Sequence, residues 1–381
     1  MQGSPSPPLS CLRLTLLRLN EGLGMSAQTV GEAGEEAVLK VILEELGDPA
    51  GSEHGSRDAL SVLTLPPGDD AAILELPADG EPARIVLTTD TLSQDQDFRQ
   101  SWWGPGEDVA AGTAVGLKAA AQNLSDLNAM AATPISLLVS LTLPPETSLD
   151  WVRGFYRGMA QAISGEATQQ CSIAGGDLGS GPSISVSITA IGRLAAGRAP
   201  LRRSGTQAGD QLAVSGDLGR AAAGLALMEA GQDCTSAELA ALRDAQIAPR
   251  PRLASGIQAI DAGATAGMDL SDGLLRDAAR LARASGVRFS IADELLREHA
   301  RGLLPAARAL GLPESDTLRW AAAGGEDYAL LATFPADATL PAGFRRIGAA
   351  LRADTPGDAD GTPKVILESA IDELGWDSLR T

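Results

Sequence analysis

The chain has 381 residues, 44% hydrophobic and 21% charged, with a formal net charge of −19. That length fits about two domains of roughly 100–200 residues, and the composition excludes a fibre, a coiled coil and wholesale disorder. So acidic a surface is a poor general binder of nucleic acid, and a polyanion could bind only where metal ions cancel carboxylates locally.

Residues 1–28 read as a disordered extension or a misassigned start, with Met25 an alternative beginning. Helical spacing from Glu32 to Leu46 opens the ordered chain. Strands are predicted at Ala71–Leu76 and Arg84–Thr89. Residues 107–132 read as a long helix of alanine and glycine, packed closely against neighbouring backbone and ended by Pro134. A buried strand follows at Ile135–Leu143, a helix at 148–168 and a half-buried strand at Ser183–Ile191. Gly192–Gly209 is basic and turn-rich, so the domain boundary falls there: 29–198 and 199–381. The second half opens with a strand at Gln211–Ser215 and a helix running to about Ala230. It continues with strand, turn and helix at 267–285, a helix near 293–309, a strand at 328–334 and C-terminal strands. The fold class is α+β. Trp102 and Trp103 suit a loop anchor or a lid, and His299 a surface position.

Six short segments pair carboxylates with glycine or small polar residues at strand ends and helix starts. They are Pro67-Gly-Asp-Asp-Ala71, Leu87-Thr-Thr-Asp-Thr-Leu92, Gln122-Asn-Leu-Ser-Asp126, Ala174-Gly-Gly-Asp177, Met268-Asp-Leu-Ser-Asp-Gly273 and Gly324-Gly-Glu-Asp-Tyr328. Glycine clears the approach to a ligand, and hard oxygen ligands suit Mg²⁺. Bare carboxylates in one site would push each other's pKa values up, and metal ions relieve that. Lys118, Gln122 and Asp126 share one stripe of the long helix, which puts one of only three lysines near a candidate ligand or in a surface ion pair. Asp272 stands where a helix N-cap would. The two histidines, His54 and His299, lie outside any chemical motif, and no G-x-x-x-x-G-K-[ST] occurs. Ser-His-Asp catalysis, Cys-His catalysis and a P-loop are therefore excluded. The three cysteines, Cys11, Cys171 and Cys234, suit a reducing, cytoplasmic compartment. No run of 18 apolar residues spans a membrane.

These segments, with Val30-Gly-Glu32 and Gly375-Trp-Asp377, resemble the thiamine-monophosphate kinase family. That family shares a superfamily with aminoimidazole ribonucleotide synthetase and selenophosphate synthetase. The resemblance covers roughly residues 29–381. It implies a mixed-sheet N-terminal domain that binds ATP and dimerises, a C-terminal domain completing the substrate site, and a homodimer. It implies transfer of the γ-phosphoryl of ATP to thiamine monophosphate with several Mg²⁺ ions and no general base. Asp70, Thr88, Thr89, Asp90, Asp126, Asp177, Asp269 and Asp272 would then be metal ligands. Gly176, Asp177, Arg203 and Ser271 would meet ATP, and Asp97, Glu326 and Trp376 the acceptor.

Three positions depart from the family pattern. Asp97 stands where a histidine is usual, Leu178-Gly179 follow Asp177 in place of two threonines, and Ala131 replaces a common glycine. An aspartate beside an incoming phosphate would repel it. The alternative is therefore a catalytically weak paralogue that senses Mg-ATP or thiamine phosphates, or a superfamily enzyme with another acceptor.

Overall fold

A computed structural model describes residues 63–66, 68–78, 82–353 and 365–367, together with Ala37, Val38, Lys40 and Val41, which are helical. The extension at 1–28, the rest of the first predicted helix and Trp376 lie outside the described residues.

The first sheet contains β1 (Leu63–Leu65), β2 (Ala72–Leu76), β3 (Ala83–Ser93), β4 (Thr133–Leu143), β5 (Ser172–Ser180) and β6 (Ser185–Arg193), in the order β1-β2-β3-β6-β4-β5. Only the β4–β5 pair is parallel. Along β3 the side chains alternate: Val86, Thr88, Asp90 and Leu92 turn inward, while Thr89 and Thr91 are exposed. Pro134 lies inside β4 rather than ending the preceding helix. It is tolerated there because the β4–β6 register shifts between Pro134 and Ser136.

Helix α1 (Asp108–Ala129) covers the inner face, and α2 (Leu149–Ala162) packs on α1. Four glycines set their spacing. A Cβ at Gly112 or Gly116 would lie 2.0 or 2.1 Å from the carbonyl oxygen of Trp151 or Phe155. One at Gly154 or Gly158 would lie 2.3 or 2.1 Å from that of Val109 or Thr113. Only backbones without side chains approach so closely, so the predicted small-residue packing is mutual. Helix α1 ends in a Schellman motif: Ala132 N donates to Leu127 O and Ala131 N to Asn128 O, both at 2.9 Å. Ala131 takes the left-handed position at φ 56°, which explains why glycine is the usual residue there.

The second sheet contains β7 (Gln211–Ser215), β8 (Ala266–Leu270), β9 (Val287–Ile291), β10 (Ala329–Phe334), β11 (Phe344–Arg352) and β12 (Val365–Leu367), in the order β12-β9-β11-β7-β10-β8. The accompanying helices are α3 (Arg220–Glu229), α4 (Ala237–Ile247), α5 (Ser255–Asp261), α6 (Leu274–Ser285), α7 (Asp293–Ala300), α8 (Leu304–Leu310) and α9 (Ser315–Ala323). The helix expected near 293–309 is thus two helices joined by a 3₁₀ turn.

Each sheet has its own apolar core, and both belong to one compact unit, residues 48–376. A third cluster joins Ala129 and Ala131 at the end of α1 to Leu201, Phe334 and Phe344. Asn128 fixes the junction, accepting from Gly256 N at 2.9 Å and donating to Ser255 Oγ at 3.1 Å.

Candidate active site

Four elements deliver carboxylates to one buried region. Asp70 precedes β2, Asp90 lies on β3, Asp126 on α1 and Asp269 on β8. The inward phase of β3 aims Thr88 and Asp90 at α1, where Thr88 Oγ1 donates to Asp126 Oδ2 at 2.6 Å. The Asp90 carboxylate meets the side chains of Asp126 and Gln122. The Asp90 backbone N–H donates to Asn123 Oδ1 at 3.2 Å. From the second sheet, Asp269 Oδ2 accepts from Ser125 Oγ at 2.8 Å.

Burial is the main cause raising the pKa of all four carboxyls. For Asp126 the next causes are the like charges of Asp90, Asp269 and Asp70, and its shift is large. One cation answers this charge directly: Arg203 Nε and Nη2 lie 2.9 and 2.5 Å from Asp70 Oδ1. Asp69 accepts from Arg203 N and Asp70 N, so it shapes the loop rather than the cluster.

Two sequence-predicted ligands face elsewhere. The hydroxyl of Thr89, on the outer face, donates to Ile188 O at 3.0 Å. Asp177 and Gly176 lie on β5, three strands from β3, or about 14 Å at the usual strand spacing. A Cβ at Gly176 would fall 1.7 Å from Val139 O, so that glycine serves close strand packing.

Asp272 does not cap α6. Gly273 occupies the N-cap, and the Asp272 carboxylate pairs with Arg280 at 2.5 Å and Arg276 at 3.8 Å. Asp277 accepts from Asp272 N and holds that loop. Ser271 O accepts from Glu326 N at 2.7 Å, and Leu270 O from Tyr328 N at 3.0 Å, which sets the last two sequence motifs side by side. Glu326 and Tyr328 take left-handed backbone, φ 64° and 49°, a strain characteristic of functional loops.

Lys118 does not form a surface ion pair. It is buried, 1% exposed, with Nζ 2.7 Å from Glu326 Oε1 and 2.9 Å from Asp97 O. Asp97 turns its carboxylate back on its own turn, where Oδ2 accepts from Ser93 N at 2.6 Å. Repulsion of an incoming phosphate, the expectation at this position, thus falls on a carboxylate already engaged in a turn. Sequence reasoning missed Gln246, whose Nε2 donates to Glu326 Oε2 at 2.6 Å from a helix with little apolar periodicity. Trp102 and Trp103 pack against the first core as a loop anchor. Among the described residues no helix is long and apolar enough to cross a membrane.

The two mixed sheets, each with its own core, and this buried carboxylate group define a two-part α+β protein whose first sheet matches a known family. Residues 68–194 match the family described as AIR synthase related protein, N-terminal domain. The chain is 38% identical to a thiamine-monophosphate kinase of Mycobacterium tuberculosis over 361 residues, 94% of this chain and 96% of that one. It is 37% identical to that of Corynebacterium glutamicum over 327 residues, 84% and 87% of the two chains. A solved structure described as AaThiL complexed with AMPPCP and TMP superposes with a TM-score of 0.75 at 27% identity, covering 93% of this chain and 99% of that one. The chain belongs to the thiamine-monophosphate kinase family.

Proposed function

We propose that this chain transfers the γ-phosphoryl group of ATP to the phosphate of thiamine monophosphate, giving thiamine diphosphate and ADP. The observation that carries this reading is the convergence of Asp70, Asp90, Asp126 and Asp269 from four elements. The family relatives and the solved relative with AMPPCP and TMP point the same way.

The residues fit Mg²⁺. Asp70 Oδ2 and Gln122 Oε1 are buried without a hydrogen-bond partner, and the carboxylates repel one another. Among the described residues no three carboxylates yet cage a single ion. Loading would therefore move Asp70 off Arg203. Asp70, Asp90, Asp126 and Asp269 with Thr88 would hold the ion. Thr89 and Asp177, which face away from this cluster, and Asp272, paired with Arg280, would serve only at outer positions. Bound Mg²⁺ would neutralise the two phosphorylated substrates and align them for in-line transfer. The acceptor is a phosphate monoester with a second pKa near about 6, so it is already largely an anion and needs no base. That suits a site without histidine. Arg203, once released from Asp70, Gly176 and Ser271 are the proposed ATP contacts, and Glu326, Trp376 and the Asp97 turn the acceptor contacts.

A homodimer is proposed through the outer face of the first sheet, where Leu138 and Leu178 are 40% and 71% exposed beside and on β5, an edge strand among the described residues. Such pairing could carry Asp177 to a neighbouring site. The Asp97 carboxylate is turned toward Ser93 N, which supports the catalytic reading over a non-catalytic sensor.

Phosphorus NMR with ATP, Mg²⁺ and thiamine monophosphate tests the reading. A new diphosphate signal requiring all three is expected, and its absence beside intact Mg-ATP binding would assign another acceptor.

A further inference from the structure

Glu326 is gripped at both oxygens. Lys118 from α1 takes Oε1 at 2.7 Å and Gln246 from α4 takes Oε2 at 2.6 Å. Both donors are almost fully buried, at 1% and 3% exposed, whereas the Glu326 side chain keeps 29% of its surface. The grip is thus built from buried donors, while the Glu326 side chain itself stays partly open. The backbone adds a third restraint, since Glu326 N donates to Ser271 O in a left-handed conformation. Lys118 also holds Asp97 O, so one buried ammonium ties the turn after β3 to the loop before β10.

We propose that Lys118 and Gln246 are positioning residues that lock Glu326 into one charge-balanced orientation for the cationic, aromatic end of the acceptor. The proposal rests on the reading of Glu326 as an acceptor contact. A free glutamate has several rotamers to lose on binding. Here that entropy is already lost in the folded protein, so a flat cationic ring meets a fixed hydrogen-bonding edge. The Lys118 charge offsets Glu326, so the position discriminates by geometry rather than by net attraction. Gln246 contributes no charge, and among the described residues Glu326 is the side chain it bonds, which makes it the cleaner probe.

The test is a double-mutant cycle of Gln246→Leu and Glu326→Ala, read as KM for thiamine monophosphate, KM for ATP, kcat and melting temperature. Gln246→Leu should raise KM for the acceptor roughly tenfold, the scale of one hydrogen bond to a charged group. KM for ATP and kcat should change less than about twofold, which a general loosening of the fold would not produce. In the Glu326→Ala background Gln246→Leu should add nothing. Additive effects, or an unchanged acceptor KM in Gln246→Leu, would overturn the proposal. An unchanged acceptor KM in Glu326→Ala would instead overturn the reading of Glu326 itself and leave the phosphoryl-transfer site standing. Where Glu326→Ala does not fold, the uncharged pair Lys118→Met with Glu326→Leu supplies the background, because replacing both partners of a buried ion pair is often tolerated.

Discussion

Arg203 grips a single oxygen of Asp70: Nε and Nη2 both point at Oδ1, and Oδ2 is buried with no hydrogen-bond partner. The Asp70 carboxylate is fully buried and the Arg203 side chain 23% exposed, so solvent does little to screen the pair. Removing one partner of such a pair typically costs about 3–5 kcal/mol. Burial already pushes the Asp70 pKa up, so the orphaned acid can take a proton, and the cost belongs at the lower end. Arg203→Met should therefore melt clearly below the parent without metal. Mg²⁺ should raise its melting temperature more than the parent's, because the ion replaces the missing cation. Equal melting temperatures without metal would show that Asp70 does not depend on Arg203.

Asp126 illustrates the opposed demands of stability and activity. It is buried among Asp90, Asp269 and Asp70, and its pKa is raised well above the ordinary range. Asp126→Asn removes that cost and can keep an amide oxygen for the Thr88 hydroxyl. The variant should melt at or above the parent in the absence of metal. Activity should fall on the order of 10²-fold or more, since charge neutralisation carries the transfer. Paired melting curves and steady-state rates check this. A variant with unchanged kcat would remove Asp126 from the proposed ligand set.

Much of this arrangement was legible in the chain because the motifs sit at sharp structural boundaries. The Ala-Gly stretch predicts α1, and β7 falls at Gln211–Ser215 as expected. What stayed hidden depends on distant partners. Strand β5 carries Ala174-Gly-Gly-Asp177 and lies open along the sheet edge, so it has no apolar alternation to reveal it. Helix α4 buries only Leu242 and Gln246, too little for a visible stripe. The Asp97 carboxylate reads as a charge facing substrate until the turn is folded and Ser93 N claims it. Asp272 reads as a cap until Gly273 takes that place, where a Cβ would meet Ala323 O at 2.6 Å.

The glycine interlock of α1 and α2 gives a prediction remote from the chemistry. A methyl at Gly116 would lie 2.1 Å from Phe155 O, and the obstacle is backbone, which cannot rotate away. The helices must separate, and their shared core includes Trp151, Phe155 and Met159. Overpacking of this kind costs about 1–3 kcal/mol when the neighbours can yield, and here the cost should reach or exceed about 3. Gly116→Ala should express poorly or melt far below the parent, and Gly158→Ala likewise. A melting temperature within experimental error of the parent would mean the two helices are not in this contact. The same substitution in the exposed interior of an ordinary helix would be stabilising.

His299 is buried, contrary to its surface reading, because Arg345 comes from β11 to meet it: Nη2 lies 3.1 Å from Nδ1. A guanidinium can only donate, so Nδ1 accepts and Nε2 carries the proton, buried without a partner. Burial, with the Arg345 charge second, lowers the His299 pKa from 6.5 to about 4. The sign follows. The unfolded chain takes up a proton near pH 6.5 while the native state resists until about 4. The contribution is therefore intact above pH 6.5 and is lost progressively as the pH falls toward 4. The whole span is worth about 3 kcal/mol at most, taking 1.36 kcal/mol per pH unit. Thermal melts across this interval should show the parent losing stability on acidification. His299→Leu should flatten that part of the profile, and it also removes the unpartnered Nε2 proton, so its stability near neutral pH should not fall by the amount expected for a lost hydrogen bond. A parallel acid slope in parent and variant would place the titration on other groups.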